Sequence, residues 1–453
     1  MISKIIDHIC DLHRVLVANV CCPLIYRFLT STVDRSTEIL HLEIVPSGAR
    51  FTFGGASAGN NTESNTPVTL YIDNPIHFCW LMILDRKIGL GEAYMAGDWR
   101  AEPNPIELLK LLIRAKKQTT PYNSSLTTLQ RTSRRLIQII SGLVTYIQHR
   151  IKDNTVSQSA RNIREHYDLG NDMFSLFLDS SMTYSCAIFK DPSISAKTIN
   201  YDNLHKAQIK KIDSLLTMLD LNSEDHVLEI GCGWGSCAIR GVQQSGCRWT
   251  GLTISREQLE WARNKVDEAN LNQRINLKYQ DYRLTKGIFT KIISIEMIEA
   301  VGQAFLPQYF QIISDRLTSG GTAVLQAIIC PDIYYDRYCR SSDFIKKYIF
   351  PGGHMPSIGA ITTSLPTDLT MTRITHIGRH YATTLEYWYN SYTRIQVWII
   401  KIDEGSLLCK EYFLKCMDVT REGYHLSWLL PKLPSSVAVL LLSLLSALCK
   451  RSH

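Results

Sequence analysis

From about residue 205 to residue 330 the chain alternates short apolar runs with amphipathic stretches. That rhythm narrows the choice of fold more than any other feature. Helical spacing runs through "AQIKKIDSLLTMLD", "SCAIRGVQQSG", "REQLEWARNKVDEAN" and "LPQYFQIISDRL". Around them stand "HVLEIGC", "RWTGLTIS", "INLKYQDY", "FTKIISIEM" and "GTAVLQAII", which read as strands. Strands separated by helices of about 10–15 residues imply βαβ units and a parallel sheet. Ligands in such sheets bind beyond the carboxyl ends of the strands.

The first of these strands ends at Glu229, and Gly231, Gly233 and Gly235 follow at every second position. Glycine lets the backbone turn tightly and lets a ligand come close. The spacing is not the G-x-G-x-x-G of a dinucleotide site. Trp234 is bulky where a pyrophosphate would need room, and no Walker lysine follows. A loop of this form is typical of sites for S-adenosyl-L-methionine (SAM), which carries no phosphate. The usual acid for the ribose hydroxyls is missing after the second strand. Thr253, Ser255 and Gln258 are the polar candidates there, and Asp281 in "QDYR" is placed for the adenine amine.

With 453 residues the chain has room for more than one domain. Residues 36–74 read as short strands with turn signals ("LHLEIVPSGARFTFGG", "PVTLYID"), and "NPIELLKLLIRAKK" reads as a helix. The formal charge of +7 is uneven: ten Lys/Arg and one acid, Asp153, lie between Lys110 and Arg161. Such a stretch suits an anionic membrane surface or nucleic acid, or serves as a solvated connector. The N-terminal thirty residues are apolar at helical spacing, which suits a helix lying on a membrane or on its own domain. The tail "SSVAVLLLSLLSALCKRSH" holds about fifteen uncharged residues, short of the roughly 20 that span a bilayer. It reads as an anchor, an interfacial helix or a docked core helix. Thirteen cysteines without a CxxC pair argue for a reducing, cytoplasmic compartment and against a zinc site.

Further segments complete a pattern: "EHYDLGNDMFSLFLDSSMTYSCAIF", "IISIEMIEAVG", "SSDFIKKYIFPGGHMPSI" and "HYATTLEYW". Together with "LEIGCGWGS", "LTISREQLEWA" and "GLGEAYMAGDW", they make the sequence resemble the cyclopropane-fatty-acyl-phospholipid synthase family, which includes the mycolic acid cyclopropane synthases. The resemblance runs from about residue 40 to about 416. It implies an α/β fold, a Rossmann-like, mostly parallel sheet of the SAM-methyltransferase kind with a smaller N-terminal α+β domain. Expected domains are 1–115, a basic helical linker 116–160, a catalytic domain 161–425 and an apolar tail 426–453.

The implied reaction moves a methyl carbon from SAM to the double bond of an acyl chain in a membrane phospholipid. A carbocation forms, and loss of a proton closes the ring. In the family a bound bicarbonate takes that proton. No side-chain base stands out in this sequence, so a bound anion is the expected device. Carried over residue by residue, the bicarbonate site comprises Cys186, Glu299, Gln326, the backbone of Ile328, and Tyr381. Gln326 stands where many members have His, and Ala300 follows Glu299 where many have another His. Gln cannot titrate near neutral pH, so it holds an anion but accepts no proton. Cys416 aligns with a family cysteine that some schemes place in the active site. For SAM the resemblance points to Tyr184, Ser185, the loop from Glu229 to Gly235, Thr253, Ser255, Gln258, Asp281 and Tyr282. His166 to Asp172 match a segment that closes over the cofactor.

The expected partners are phospholipid and a membrane surface, for a peripheral protein that is compatible with a homodimer. Other readings are a lipid C-methyltransferase leaving a methyl or methylene branch, one acting on a sphingolipid, and an inactive lipid-binding homologue. Nucleic-acid methylation is disfavoured, because "SIEMIEAVG" stands where exocyclic-amine enzymes carry an Asn/Asp-Pro-Pro-Tyr motif.

Overall fold

A computed structural model describes residues 14–34, 36–55, 67–118, 170–191 and 201–403. These fall into two compact units, one holding the described residues up to Gln118 together with Gln396–Asp403, and the other those from Gly170 to Ile395.

The first unit opens with helix α1 (Arg14–Val33). Strands β1 (Ile39–Ile44), β2 (Ala49–Gly54) and β3 (Val68–Ile72) follow. Then come α2 (Pro75–Leu84), α3 (Arg86–Met95), β4 (Trp99–Glu102) and α4 (Pro105–Gln118). The strands lie in the order β2-β1-β3-β4. β1 and β3 are parallel, and the other two pairs are antiparallel. This is the small α+β fold expected from the sequence.

α1 is long and apolar enough to cross a membrane by length and composition. Val17, Cys21, Ile25, Leu29 and Val33, spaced by four, are nevertheless buried in the core of this unit. Of the two surfaces expected for the N-terminal helix, its own domain takes this face. α2 was not legible beforehand: "PIHFCWLMIL" is apolar nearly all round and has no helical period to read. Arg114 on α4 closes the unit with a bidentate pair to buried Glu38, at 2.7 and 2.8 Å.

The second unit contains α5 (Gly170–Ser175), α6 (Tyr201–Leu219), β5 (His226–Ile230), α7 (Ser236–Ser245) and β6 (Arg248–Thr253). It continues with α8 (Arg256–Glu268), β7 (Ile275–Tyr279), β8 (Phe289–Ile295), α9 (Leu306–Arg316) and β9 (Leu317–Gln326). α10 (Asp332–Cys339), α11 (Ile358–Ser364) and the part of α12 (Gly378–Asp403) up to Ile395 complete it. The sheet order is β7-β6-β5-β8-β9, and every neighbouring pair is parallel. The expected doubly wound sheet is present. β9 starts four residues before "GTAVLQAII" and ends three residues before that run does, its pairing with β8 running from Phe289–Leu317 to Ile295–Gln326.

The elements follow from their sequences. β5 is buried on both faces, as a central parallel strand requires. Ser255 caps α8 by accepting from Gln258 N, and Leu259, Ala262 and Val266 form its buried face. Gly241 of α7 lets the helix lie directly on Trp249. A Cβ there would come within 2.4 Å of the indole ring. The chain order reverses at β5: β6 lies to one side and β8 to the other. The loops after β5 and β8 therefore start side by side, at the switch point where open α/β sheets bind ligands.

The basic linker beyond Gln118, residues His166 to Leu169, Cys416 and the apolar tail lie outside the described residues.

Trp99 is a large buried anchor of the first unit, with its indole N–H donating to Leu90 O at 2.9 Å. Trp99→Ala should cost about 3–5 kcal/mol. Hydrogen exchange of the full-length chain should then show early loss of protection in β1 and β3, with β5 to β8 little changed.

Candidate active site

The glycine loop takes its shape from three left-handed residues, Gly231, Gly233 and Gly235, at φ +84°, +50° and +88°. Two loop amides, of Gly231 and Cys232, donate to Leu252 O on β6. A Cβ on Gly231 would meet Met297 at 2.7 Å, so the loops after β5 and β8 touch at a residue without a side chain. Around a Cβ at Gly233, by contrast, nothing lies within 4 Å. The loop is therefore packed at its base and open at its tip.

Several residues expected to touch SAM serve this loop from behind. Glu229 is buried, and its carboxylate accepts from Trp249 Nε1 at 2.9 Å. Burial pushes its pKa up to about 7. Through that bond it buttresses the loop from β5. The Trp234 side chain turns into protein, donating to Asn171 Oδ1 at 2.7 Å and packing on Phe174. Asn171 also donates to Glu257 O at the start of α8. The described part of the "HYDLGND" segment thus clamps the glycine loop to α8. Thr253, Ser255 and Gln258 interlock at the end of β6: Thr253 Oγ1 donates to Gln258 Oε1 and accepts from Ser255 N. Asp281 is not an unoccupied acceptor, because Arg283 engages both of its oxygens, at 2.9 and 2.6 Å. Tyr282 follows it, with its ring edge-on to Tyr309 and its pKa pushed up to about 12 by burial.

The segment from Asp179 to Ala187 is held from all sides. Asp179 accepts from Ser181 Oγ at 2.6 Å and pairs with His205 Nδ1 at 2.8 Å. Ser236, the first residue of α7, donates to Ser181 O. α6 supplies two buried polar side chains: Gln208 donates to Ser185 O at 2.8 Å, and Lys211 to Ser185 Oγ at 2.7 Å. Ala187 N donates to Thr384 Oγ1 on α12. Tyr184 packs among Phe174, Phe177 and Trp388, with ring centroids 5.2–6.1 Å apart, and Tyr381 meets Trp388 at 6.4 Å.

The carboxylate at the centre is one the sequence reading passed over. Glu296, the first residue after β8, accepts from the backbone N–H of Cys186 at 3.0 Å and from Gln326 Nε2 at 2.8 Å on one oxygen. Its other oxygen accepts from Tyr381 OH at 3.0 Å. Glu296 adopts φ +50°, a costly conformation for a residue with a side chain. Glu299, one 3-10 turn later, accepts from the backbone N–H of Ile328.

The expected set of Cys186, Glu299, Gln326, Ile328 and Tyr381 is therefore brought together, with a correction. Bicarbonate does not fit it. Three of the donors assigned to that anion end on the Glu296 carboxylate, and the fourth, Ile328 N–H, ends on Glu299. Cys186 takes part through its backbone, while its thiol is directed at the carbonyls of Ala187 and Ile377. A signal for Glu296 was present: two acids spaced by three in "SIEMIEAVG", immediately beyond a central strand.

Two carboxyl groups so close cannot both ionise freely. Burial, then the charge of Glu296, pushes Glu299 up to about 8. That shift favours its protonated form, and its Oε2 has no hydrogen-bond partner among the described residues. Burial also raises Glu296, opposed by its three donors and by the Lys211 ammonium. Burial lowers Lys211, opposed first by the charge of Glu296.

A family model described as mycolic acid cyclopropane synthetase matches residues 154–427. The chain belongs to that family. It is 35% identical to the tuberculostearic acid methyltransferase UfaA1 of Mycobacterium tuberculosis, over 75% of this chain and 76% of that protein. It is 31% identical to the cyclopropane-fatty-acyl-phospholipid synthase of Escherichia coli K12, over 74% and 79%. Among solved structures it is similar to mycolic acid cyclopropane synthase CmaA1 complexed with SAH and CTAB, with 28% identity, TM-score 0.47, and 58% and 94% coverage. Like the family, the protein is a SAM-dependent methyltransferase of lipid metabolism, with SAM as the methyl donor.

The pKa of Glu299 bears on stability. Its value rises from 4.5 to about 8 on folding. The folded state holds a proton that the unfolded chain has lost, so stability falls as pH rises between these values. Glu299→Gln removes that term. Its melting temperature relative to the unaltered protein should rise between pH 5 and pH 8, as read by calorimetry; a constant difference would contradict the assignment.

Proposed function

We propose that the protein transfers the methyl carbon of SAM to the double bond of an unsaturated acyl chain in a membrane phospholipid, and closes a cyclopropane ring. The observation that carries this reading is the meeting, at one switch point, of an open glycine loop with a desolvated anionic centre walled by aromatic rings. The loop from Gly231 to Gly235 would hold SAM across the strand ends, with Tyr184, Ser185, Thr253, Ser255, Gln258, Asp281 and Tyr282 around it. Bound there, SAM supplies an electrophilic methyl group. The alkene that takes it becomes a carbocation, which gains most from an anion where the dielectric is low. Tyr184, Tyr381 and Trp388 add aromatic faces, which attract cations. The same apolar lining excludes the water that would trap the cation as an alcohol. Because the substrate chain lies in a bilayer, the protein works as a peripheral protein at a membrane surface.

A second reading, methyl transfer without ring closure, is supported by the relative named tuberculostearic acid methyltransferase. It shares the cation and differs in its fate.

Incubation of the purified protein with labelled SAM and vesicles of monounsaturated phospholipid tests both. Released fatty acids should carry one added CH2, in a ring by NMR. A methyl or methylene branch would favour the second reading, and unaltered chains would refute the proposal.

A further inference from the structure

We infer that Glu296 is the catalytic base of this protein, a built-in carboxylate that takes the place of a bound bicarbonate. The inference rests on the proposed reaction and deepens it. Its basis is the geometry around one side chain. The N–H of Cys186, the amide of Gln326 and the hydroxyl of Tyr381, which come from three separate segments, converge on the two Glu296 oxygens at 2.8–3.0 Å. Such a set recognises a planar anion with two acceptor oxygens. A carboxylate and a bicarbonate are alike in that respect, and only one of them fits at a time. The left-handed backbone at Glu296 (φ +50°) is what turns the side chain back into these donors. Gln326 offers an amide that holds an anion and takes no proton, so the proton acceptor at this centre is the carboxylate.

The step balances without a further reactant. The alkene π pair forms the new bond to the methyl carbon as the carbon–sulfur bond breaks, and the sulfur leaves neutral. Glu296 removes a proton from the added methyl group, and the freed C–H pair closes the third side of the ring. Glu296 ends neutral and returns its proton to water once the product has left.

Glycine suits a positive φ, so Glu296→Gly vacates the anion site without backbone strain. Wild type, Glu296→Gly and Glu296→Gln would be assayed with vesicles of monounsaturated phospholipid in CO2-free buffer, with and without added bicarbonate. Binding of carbon-13 bicarbonate would be followed in parallel by NMR, and SAM binding by calorimetry would report correct folding. We expect wild type to ignore bicarbonate in both readouts. Glu296→Gln should lose about 10²–10⁴-fold in rate, and Glu296→Gly should be as slow but bind bicarbonate saturably and recover with it. Saturable binding of bicarbonate by wild type would overturn the inference. So would wild-type activity that depends on the ion, or full activity of Glu296→Gln. A wild type that alters no acyl chain under any condition would instead refute the proposed reaction, with the bicarbonate-binding comparison still deciding whether Glu296 fills the anion site.

Discussion

The active end of this protein is organised around one buried carboxyl group. A carboxylate withdrawn from water must be given hydrogen bonds and counter-charge, or it takes up a proton. Glu296 receives its bonds from the Asp179–Ala187 segment, the end of β9 and the start of α12. Two of those segments are in turn secured elsewhere: the first by Gln208, Lys211, Ser236 and Thr384, and β9 by its parallel pairing with β8. Removing the charge would leave the donors without an acceptor at this point; removing the donors would leave the charge uncompensated.

Lys211 and Glu299 complete the electrostatics from opposite sides. The buried ammonium favours the ionised form of Glu296, and the ionised form of Glu296 favours a proton on Glu299. In the proposed reaction this neighbourhood would stabilise a developing positive charge with donors already in place. The aromatic group of Phe174, Phe177, Tyr184 and Trp388 has a double place in this arrangement. It packs against Trp234 of the glycine loop on one side and reaches Tyr381 on the other, so the glycine loop and the partner of Glu296 share a wall.

The glycine loop shows how much of a linear motif depends on partners distant in sequence. Gly231 and Gly235 are required by close approaches to Met297 and Ala262, whereas Gly233 stands open. The side chains of Glu229, Trp234 and Asp281, adjacent to ligand positions in the linear motif, are held in place by Trp249, Asn171 and Arg283. Such partners lie 20 or 63 residues away, or on a turn whose closure no spacing rule reports. The same blindness hid α2, which is apolar nearly all round.

By itself the sequence determined the alternation of strand and helix, hence the parallel sheet, its switch point and the loop after β5. These rest on local periodicity and on glycine's freedom at positive φ, which neighbours along the chain suffice to express. It also carried the motifs that place the chain in its family. Only the tertiary structure decided which acid stands at the centre of the site. Glu296 and Glu299 are near-identical as neighbours in "EMIEA", and nothing local separates them. The separation comes from a left-handed turn at Glu296 and from donors 110, 30 and 85 residues away. A charge is stabilised by what surrounds it in space, and that is settled only when the chain has folded.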